Sequence, residues 1–149
     1  MIIEALATAK IHLKRAKFSF NQLQKIDINP DLFEDEEKVK TVDAFIFRFI
    51  KLQDFMGDRL FRQLLETLGE YKDSMSLLDV LDRMEKLMLM PNSDDWMEYR
   101  KVRNKLTHEY SNNKSEIIEG LKLAFLYFIE IEKILYNIEN YLNQNDQIQ

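Results

Sequence analysis

The sequence has 149 residues, a formal charge of −5, no cysteine, three glycines and two prolines. This is the length of one domain, and the scarcity of glycine and proline indicates long helices and not a turn-rich β protein. The absence of cysteine excludes a disulfide framework and a thiolate metal site. The acidic balance excludes a surface that coats nucleic acid broadly, so any RNA contact must be local.

The first predicted helix ends before Asn29 and Pro30, and the second begins after the acidic stretch 34–37 and runs to about Leu68, with Gly69 in place for a C-cap. Apolar residues follow one stripe in the first helix: Leu6, Ala9, Leu13, Ala16, Phe20 and Leu23. In the second they occupy more than one face: Phe45, Ile46, Phe47, Phe49, Ile50, Leu52, Phe55 and Met56. The second helix therefore needs apolar neighbours on two sides, either in the centre of a bundle or at a subunit interface.

The third predicted helix begins at Ser76, which with Asp79 resembles an N-terminal cap, and ends near Leu89, before Pro91. The fourth begins within 92–95 and ends around the turn-favouring residues 111–113. Its apolar side consists of Trp96, Tyr99, Val102 and Leu106.

The fifth predicted helix runs to about Leu142, with apolar residues at unbroken steps of three and four: Ile117, Leu121, Ala124, Phe128, Ile131, Leu135, Ile138 and Leu142. Beside four other amphipathic helices, this heptad pattern favours packing inside a bundle over a free-standing coiled coil. We therefore expect an all-α protein, an antiparallel up-and-down bundle of about five helices. Residues 1–143 form a single domain in this interpretation, and 144–149 form a frayed polar tail.

We expect a cytoplasmic protein with no membrane partner. The first residues soon reach Lys10, Lys14 and Arg15, without the apolar stretch and cleavage site of a signal peptide. The most apolar segment, 121–135, is interrupted by charged residues and falls short of the roughly 20 apolar residues that a membrane span needs.

The two histidines, His12 and His108, lie in no metal-binding pattern, and glycine-rich phosphate loops are absent, so we expect neither a metal nor a cofactor. His12 borders the apolar stripe of the first helix, which indicates a partly exposed structural histidine. On an ideal helix, His108 and Asn104 point away from the apolar side of the fourth helix. His108 is therefore either an idle surface residue or one that faces a cleft or a partner.

Arg103 and His108 lie about 140° apart on an ideal helix. A shared site therefore requires Arg103 to reach around the helix, the helix to unwind near Thr107, or a second subunit to contribute. Cleavage of RNA without a metal needs one group to accept a proton and another to donate one. A two-fold dimer would supply two histidines together with two arginines, whose guanidinium groups suit phosphate, so a nuclease with these residues would be a homodimer.

The segment Arg103-Asn104-Lys105-Leu106-Thr107-His108-Glu109-Tyr110 resembles the signature of HEPN domains, in which arginine and a following polar residue precede a histidine. Its fuller form, Arg-x4-His-x-Tyr, is similar to that of the HepT toxins, which are encoded beside a small nucleotidyltransferase antitoxin of the MNT type. The motif lies near the end of the fourth of five predicted helices, before an asparagine-rich turn, and the predicted architecture agrees with that family over most of the chain.

The resemblance implies a HEPN-like, homodimeric bundle that acts as a metal-independent endoribonuclease and toxin. Arg103 and His108 would be the catalytic pair, and Asn104 would orient the site or contact the phosphate. Tyr110 would be the residue to which the antitoxin attaches AMP, and the added charge and bulk would obstruct the site and repel RNA phosphates.

Two other functions fit the same residues. In the first, the chain is a non-catalytic HEPN-type partner of a nucleotidyltransferase that binds a nucleotide or substrate near Arg103. In the second, it is a structural helical adaptor whose aromatic-rich segment 45–55 meets an unrelated protein. If neither residue has a function, Tyr110 is a packing tyrosine and Arg103 a solvated basic residue.

Overall fold

The computed structural model describes residues 1–109 and 113–145, with the backbone alone for His108 and Glu109. The described residues form helices and turns without a β-strand, which confirms the predicted all-α class. The helices are α1 (Ile2–Leu23), α2 (Glu36–Phe55), α3 (Phe61–Thr67), α4 (Leu77–Lys86), α5 (Ser93–Glu109) and α6 (Lys114–Gln144). A 3-10 turn occupies Pro30–Glu34, and a π-helical turn at Met56–Leu60 joins α2 to α3. Because that junction keeps helical backbone angles, α2, the π turn and α3 form one rod. The described chain thus has five helical rods, the predicted number.

Local sequence signals account for most helix ends. Ser76 Oγ accepts a hydrogen bond from the Asp79 N–H at 3.2 Å, and the Asp79 carboxylate accepts one from the Ser76 N–H at 3.0 Å. This reciprocal pair is a capping box at the start of α4. Gly69 follows α3 with a φ of 72°, the left-handed conformation that glycine adopts without steric cost.

The predicted end of the third helix, near Leu89, is wrong by three residues, because α4 stops at Lys86. Met88 has a φ of 61°, which breaks the helical hydrogen-bond ladder. The chain then turns inward, so that Leu89 and Met90 are buried in the core.

α2 lies in the centre of the bundle, in contact with α1, α5 and α6. Its buried residues are Val42, Phe45, Ile46, Phe49, Leu52 and Gln53. Phe20 of α1 packs against Phe45 of α2 and Phe128 of α6, with ring centroids 6.2 and 5.0 Å apart. The central position of α2 buries most of the apolar residues that the sequence places on several of its faces.

Two pairs of contacting helices run antiparallel. Lys10 and Lys17 of α1 pair with Glu139 and Glu132 of α6, so the two helices run in opposite directions. The same holds for α2 and α5: Gln53 Nε2 donates to the Tyr99 carbonyl at 3.2 Å, and Gly57, later in the rod, lies against Trp96, earlier in α5.

Aromatic rings hold α5 in place. Trp96 is 1% exposed, and its ring lies 4.7 Å from that of Phe61 and 5.8 Å from that of Tyr99. Tyr99 in turn contacts Tyr127 of α6 at 4.7 Å. Residues Trp96, Tyr99, Val102 and Leu106, the predicted apolar side of this helix, are all buried.

α6 buries every residue of its predicted heptad pattern. It continues to Gln144, so residue 144, which we assigned to the polar tail, is helical. Residues 146–149 of that tail lie outside the described residues. Among the helices that the structure describes, none combines the length and apolarity needed to cross a membrane.

We expect Trp96→Ala to lower the free energy of unfolding by about 3–5 kcal/mol, because it removes a fully buried ring and leaves a cavity between α3 and α5. Urea unfolding followed by far-UV circular dichroism measures this change. Leu126→Ala, at a side chain 61% exposed, is the control and should alter stability by less than about 0.5 kcal/mol. A Trp96 variant as stable as this control would contradict the packing described here.

Candidate functional site

Arg103 of α5 and Asp54 of α2 form a two-pronged ion pair between the helices. The Nε of Arg103 donates to Asp54 Oδ1 at 3.0 Å, and Nη2 donates to Oδ2 at 2.7 Å. This parallel geometry fixes the plane of the guanidinium group as well as its position.

Asn104 completes the orientation of Arg103. Its Oδ1 accepts a hydrogen bond from Arg103 Nη1 at 3.2 Å. Arg103 and Asn104, both taken from the sequence motif, therefore act as a unit in the structure. Three of the five guanidinium N–H groups bond to described side chains, which leaves two for another acceptor.

The ion pair keeps Arg103 charged. The hydrogen bond with Asp54 raises the pKa of the Arg103 guanidinium, and the negative charges of Asp54 and Asp58 add to that effect, while partial burial opposes it. The group is therefore a permanent cation at physiological pH.

A small polar cavity of about 200 Å³ lies at this ion pair. Its charged and amide side chains are Gln53, Asp54, Asp58, Arg100, Arg103 and Asn104. Two carboxylates thus face two guanidinium groups, so the cavity has no excess of either charge. Its volume is below the roughly 300–1,000 Å³ usual for pockets that enclose a small molecule.

Two features of α2 shape this cavity. The π-helical turn, marked by the hydrogen bond from the Phe61 N–H to the Met56 carbonyl, begins two residues after Asp54 and contains Asp58. Turns of this kind occur often at functional sites. Gln53, which also lines the cavity, is 2% exposed, and its Oε1 has no partner among the described residues. A buried amide oxygen of this kind calls for a donor such as water or a ligand.

The structure excludes one of the three ways of uniting Arg103 with His108. α5 stays helical through Glu109, so unwinding near Thr107, one of the possibilities open from the sequence, is wrong. The Thr107 hydroxyl donates to the Arg103 carbonyl at 2.9 Å, the bond expected within an intact helix. The Arg103 side chain is held toward α2, and the backbone of His108 lies one turn beyond the exposed Asn104.

The other residues of the predicted site lie partly or wholly outside the described part of the chain. The side chain of His108 is outside it, and so is Tyr110. Their roles therefore stay predictions. Among the described residues, His, Asp and Glu side chains form no group of three that could hold a metal ion.

Sequence reasoning missed Asp54, Asp58 and Arg100. Asp54 did carry a signal, because it is the only carboxylate between Asp43 and Asp58, within the most aromatic helix of the chain. A lone acidic residue in such a segment is more conspicuous than one on a uniformly charged face. Its pairing with Arg103, 49 residues away, is a product of tertiary structure.

Comparison with known proteins adds no family assignment: no protein-family model matches the chain, and no curated protein matches it. The interpretation of this site therefore rests on its own residues.

His12 is half-buried, as the sequence predicts, and its ring lies 5.7 Å from that of Phe55. Burial lowers the pKa of the His12 imidazole, and the positive charges of Arg48, Arg15 and Lys51 lower it further. Three cations from α1 and α2 thus surround the neutral imidazole.

We expect the His12 resonance in an NMR titration to have a midpoint below 6.5, the ordinary pKa of histidine. Arg48→Gln removes the strongest of the three charges and should move the midpoint upward, whereas Lys133→Gln on α6 should not. Since the folded state disfavours the protonated imidazole, this histidine lowers stability as the pH falls below the unfolded value of about 6.5. Comparison with the spectrum of His108→Ala assigns the two histidine signals. A His12 midpoint above 6.5 would contradict the lowering of its pKa by burial and by the three positive charges.

Proposed function

We propose that this protein is the toxin of a toxin-antitoxin system, a metal-independent endoribonuclease of the HEPN type. The observation that carries the proposal is the guanidinium of Arg103, held by Asp54 and Asn104 with two N–H groups left over, in a polar cavity beside the Arg-x4-His-x-Tyr segment. A pre-oriented cation with open donors is what stabilisation of a phosphate transition state requires.

In the proposed reaction, a ribose 2′-hydroxyl attacks the adjacent phosphorus, and the bond from phosphorus to the 5′-oxygen of the next nucleotide breaks. One group accepts the proton of the 2′-hydroxyl and another donates a proton to the leaving 5′-oxygen, so the products are a cyclic phosphate and a 5′-hydroxyl. His108 supplies imidazole for proton transfer. Arg103 neutralises the charge that develops on the phosphate oxygens.

The proposed active unit is a homodimer. One chain has a single histidine in the motif, and hydrogen bonds to Asp54 hold its Arg103 side chain on the α2 side of α5. The cavity of about 200 Å³ is also too small to enclose a nucleotide by itself. A two-fold axis beside α5 would join two such half-sites and bring two histidines and two arginines to one phosphodiester.

A second function, a non-catalytic partner of a nucleotidyltransferase, is favoured by one observation. Arg103 is already paired with Asp54 through two short hydrogen bonds, an arrangement that also serves a purely structural ion pair. In that case the motif surface docks the enzyme or binds its substrate, and RNA stays intact.

Cleavage of RNA separates these functions. We expect the wild-type protein to cut single-stranded RNA equally well with and without a chelator. Arg103→Ala and His108→Ala should each lower the rate by about 10²-fold or more. Asp54→Asn, which frees the guanidinium to turn, should cost roughly 10-fold or more. Glu98→Gln, at an exposed α5 carboxylate outside the cavity, is the matched control for Asp54. Uncut RNA with folded wild-type protein would favour the binding function.

Mixing the two inactive variants tests the shared site. In a shared site, a mixed dimer of Arg103→Ala and His108→Ala chains keeps one arginine and one histidine on opposite subunits, and cleavage should rise above that of either parent variant. Sites confined to one chain would give no recovery after mixing and refolding. A strictly monomeric wild-type protein, measured by light scattering, would also refute this arrangement.

We expect the partner nucleotidyltransferase to transfer AMP from ATP to Tyr110 and so stop cleavage. Intact-protein mass spectrometry should show the added AMP, and Tyr110→Phe should abolish the addition while the fold is kept. Tyr136→Phe, at a tyrosine 44% exposed on α6, is the control and should still be modified. Unmodified wild-type protein in the presence of an active partner enzyme would remove this role of Tyr110.

A further inference from the structure

Phe47 departs from the rest of its helix. Its side chain is 51% exposed, whereas Phe45 and Phe49 on either side are fully buried. A single exposed aromatic residue is ordinary by itself. The surroundings of Phe47 are what distinguish it.

Two cations lie over the Phe47 ring. The guanidinium carbon of Arg48 is 5.1 Å from the ring centroid, and Lys51 Nζ is 5.4 Å from it, both within the range of cation–π interaction. Neither cation forms an ion pair with a described carboxylate, whereas Lys10 and Lys17 on the neighbouring α1 are both paired. Arg15 belongs to the same positive region, since its charge and those of Arg48 and Lys51 act together on His12.

This region adjoins the proposed active site. Phe47 and Asp54 are seven residues apart on α2, so they lie within about 20° of each other on the helix and about 10 Å apart along it. Because α2 and α5 are antiparallel, the step from Asp54 back to Phe47 runs in the same direction as the step from Arg103 on to His108. Phe47 therefore flanks the end of α5 that carries the motif histidine.

We infer that Phe47, Arg48 and Lys51 form a subsite for single-stranded RNA, in which the ring stacks on a base and the two cations contact neighbouring phosphates. The inference rests on the proposed ribonuclease function and extends it to recognition of the substrate beside the cleaved bond. Aromatic stacking next to positive charge is the common means of binding single strands without regard to sequence. It also supplies the local RNA contact that the acidic chain as a whole does not offer.

A second copy of the chain is a poorer occupant of this surface. A two-fold contact centred on Phe47 would set Arg48 and Lys51 against the same residues of the other subunit, and like charges at short range repel. Nucleic acid brings both flat rings and negative charge. The charge of the surface thus favours RNA over self-association.

Binding of an uncleavable strand tests the subsite apart from catalysis. The probe is a fluorescein-labelled single-stranded RNA with 2′-O-methyl groups throughout, which lacks the attacking hydroxyl, and fluorescence anisotropy gives its Kd. Phe47→Ala should weaken binding about 5- to 150-fold, the range for loss of one stacked base. Phe47→Trp should restore it, because the larger ring also stacks. Phe18→Ala, at another phenylalanine that is 67% exposed, is the matched control and should leave the Kd unchanged.

The salt dependence tests the two cations. Replacing both Arg48 and Lys51 with Ala should reduce the slope of log K against log salt concentration by about 1.4, since each phosphate contact on a single strand contributes about 0.7. Replacing the carboxylate-paired Lys10 and Lys17 with Ala should leave that slope unchanged.

The inference is overturned if Phe47→Ala binds the probe as wild type does, or if Phe18→Ala weakens binding equally. It is also overturned if Phe47→Ala loses binding only because a dimer becomes a monomer in light scattering, since Phe47 is then an interface residue. Failure of the proposed function gives a different result. In that case the wild-type protein binds the probe through Phe47 but does not cleave unmodified RNA, so the subsite exists without nuclease activity.

Discussion

The burial of α2 by α1, α5 and α6 is the constraint on which the other features of the molecule depend. Phe45, Phe49 and Leu52 are fully buried, so α2 can neither rotate nor slide without opening the core. Asp54 and Phe47 are carried on the side of this fixed helix that the core leaves open. Their positions relative to α5 are therefore set by apolar packing, and the polar groups need little energy of their own to stay in place.

The ion pair between Arg103 and Asp54 orients the guanidinium group more than it stabilises the fold. Its side chains are 26% and 41% exposed, so solvent screens the attraction, and pairs of this kind contribute at most about 1 kcal/mol. The gain is in geometry, because a guanidinium that is bonded through two nitrogens cannot swing. If Arg103 meets a phosphate, the cost of ordering its side chain has already been met during folding. The exposed Asn104 extends the same ordered array to the surface.

Much of the fold follows from local sequence, and the site follows only in part. The three-and-four spacing in α1 and α6, the cap at Ser76 and the left-handed Gly69 are local signals, and the structure agrees with each of them. The early end of α4 was missed because Met88 adopts a positive φ that no local preference of methionine indicates. Motif residues Arg103 and Asn104 could be named in advance. Asp54 could not, because its role depends on how α2 and α5 pack.

The π turn at Met56–Leu60 has a consequence for how this chain tolerates length changes. It holds one more residue than an α-helical turn would, so every side chain after it is rotated by about 100° relative to an uninterrupted helix. Phe61, Leu64 and Leu65 face the core only with that offset in place. Deletion of a single residue within the turn would restore regular helix and leave those three side chains facing the core, because the turn absorbs one extra residue. Sequences that share this architecture can therefore have one residue fewer between Asp54 and Phe61, whereas a deletion elsewhere in α2 or α3 would rotate the residues after it by about 100°.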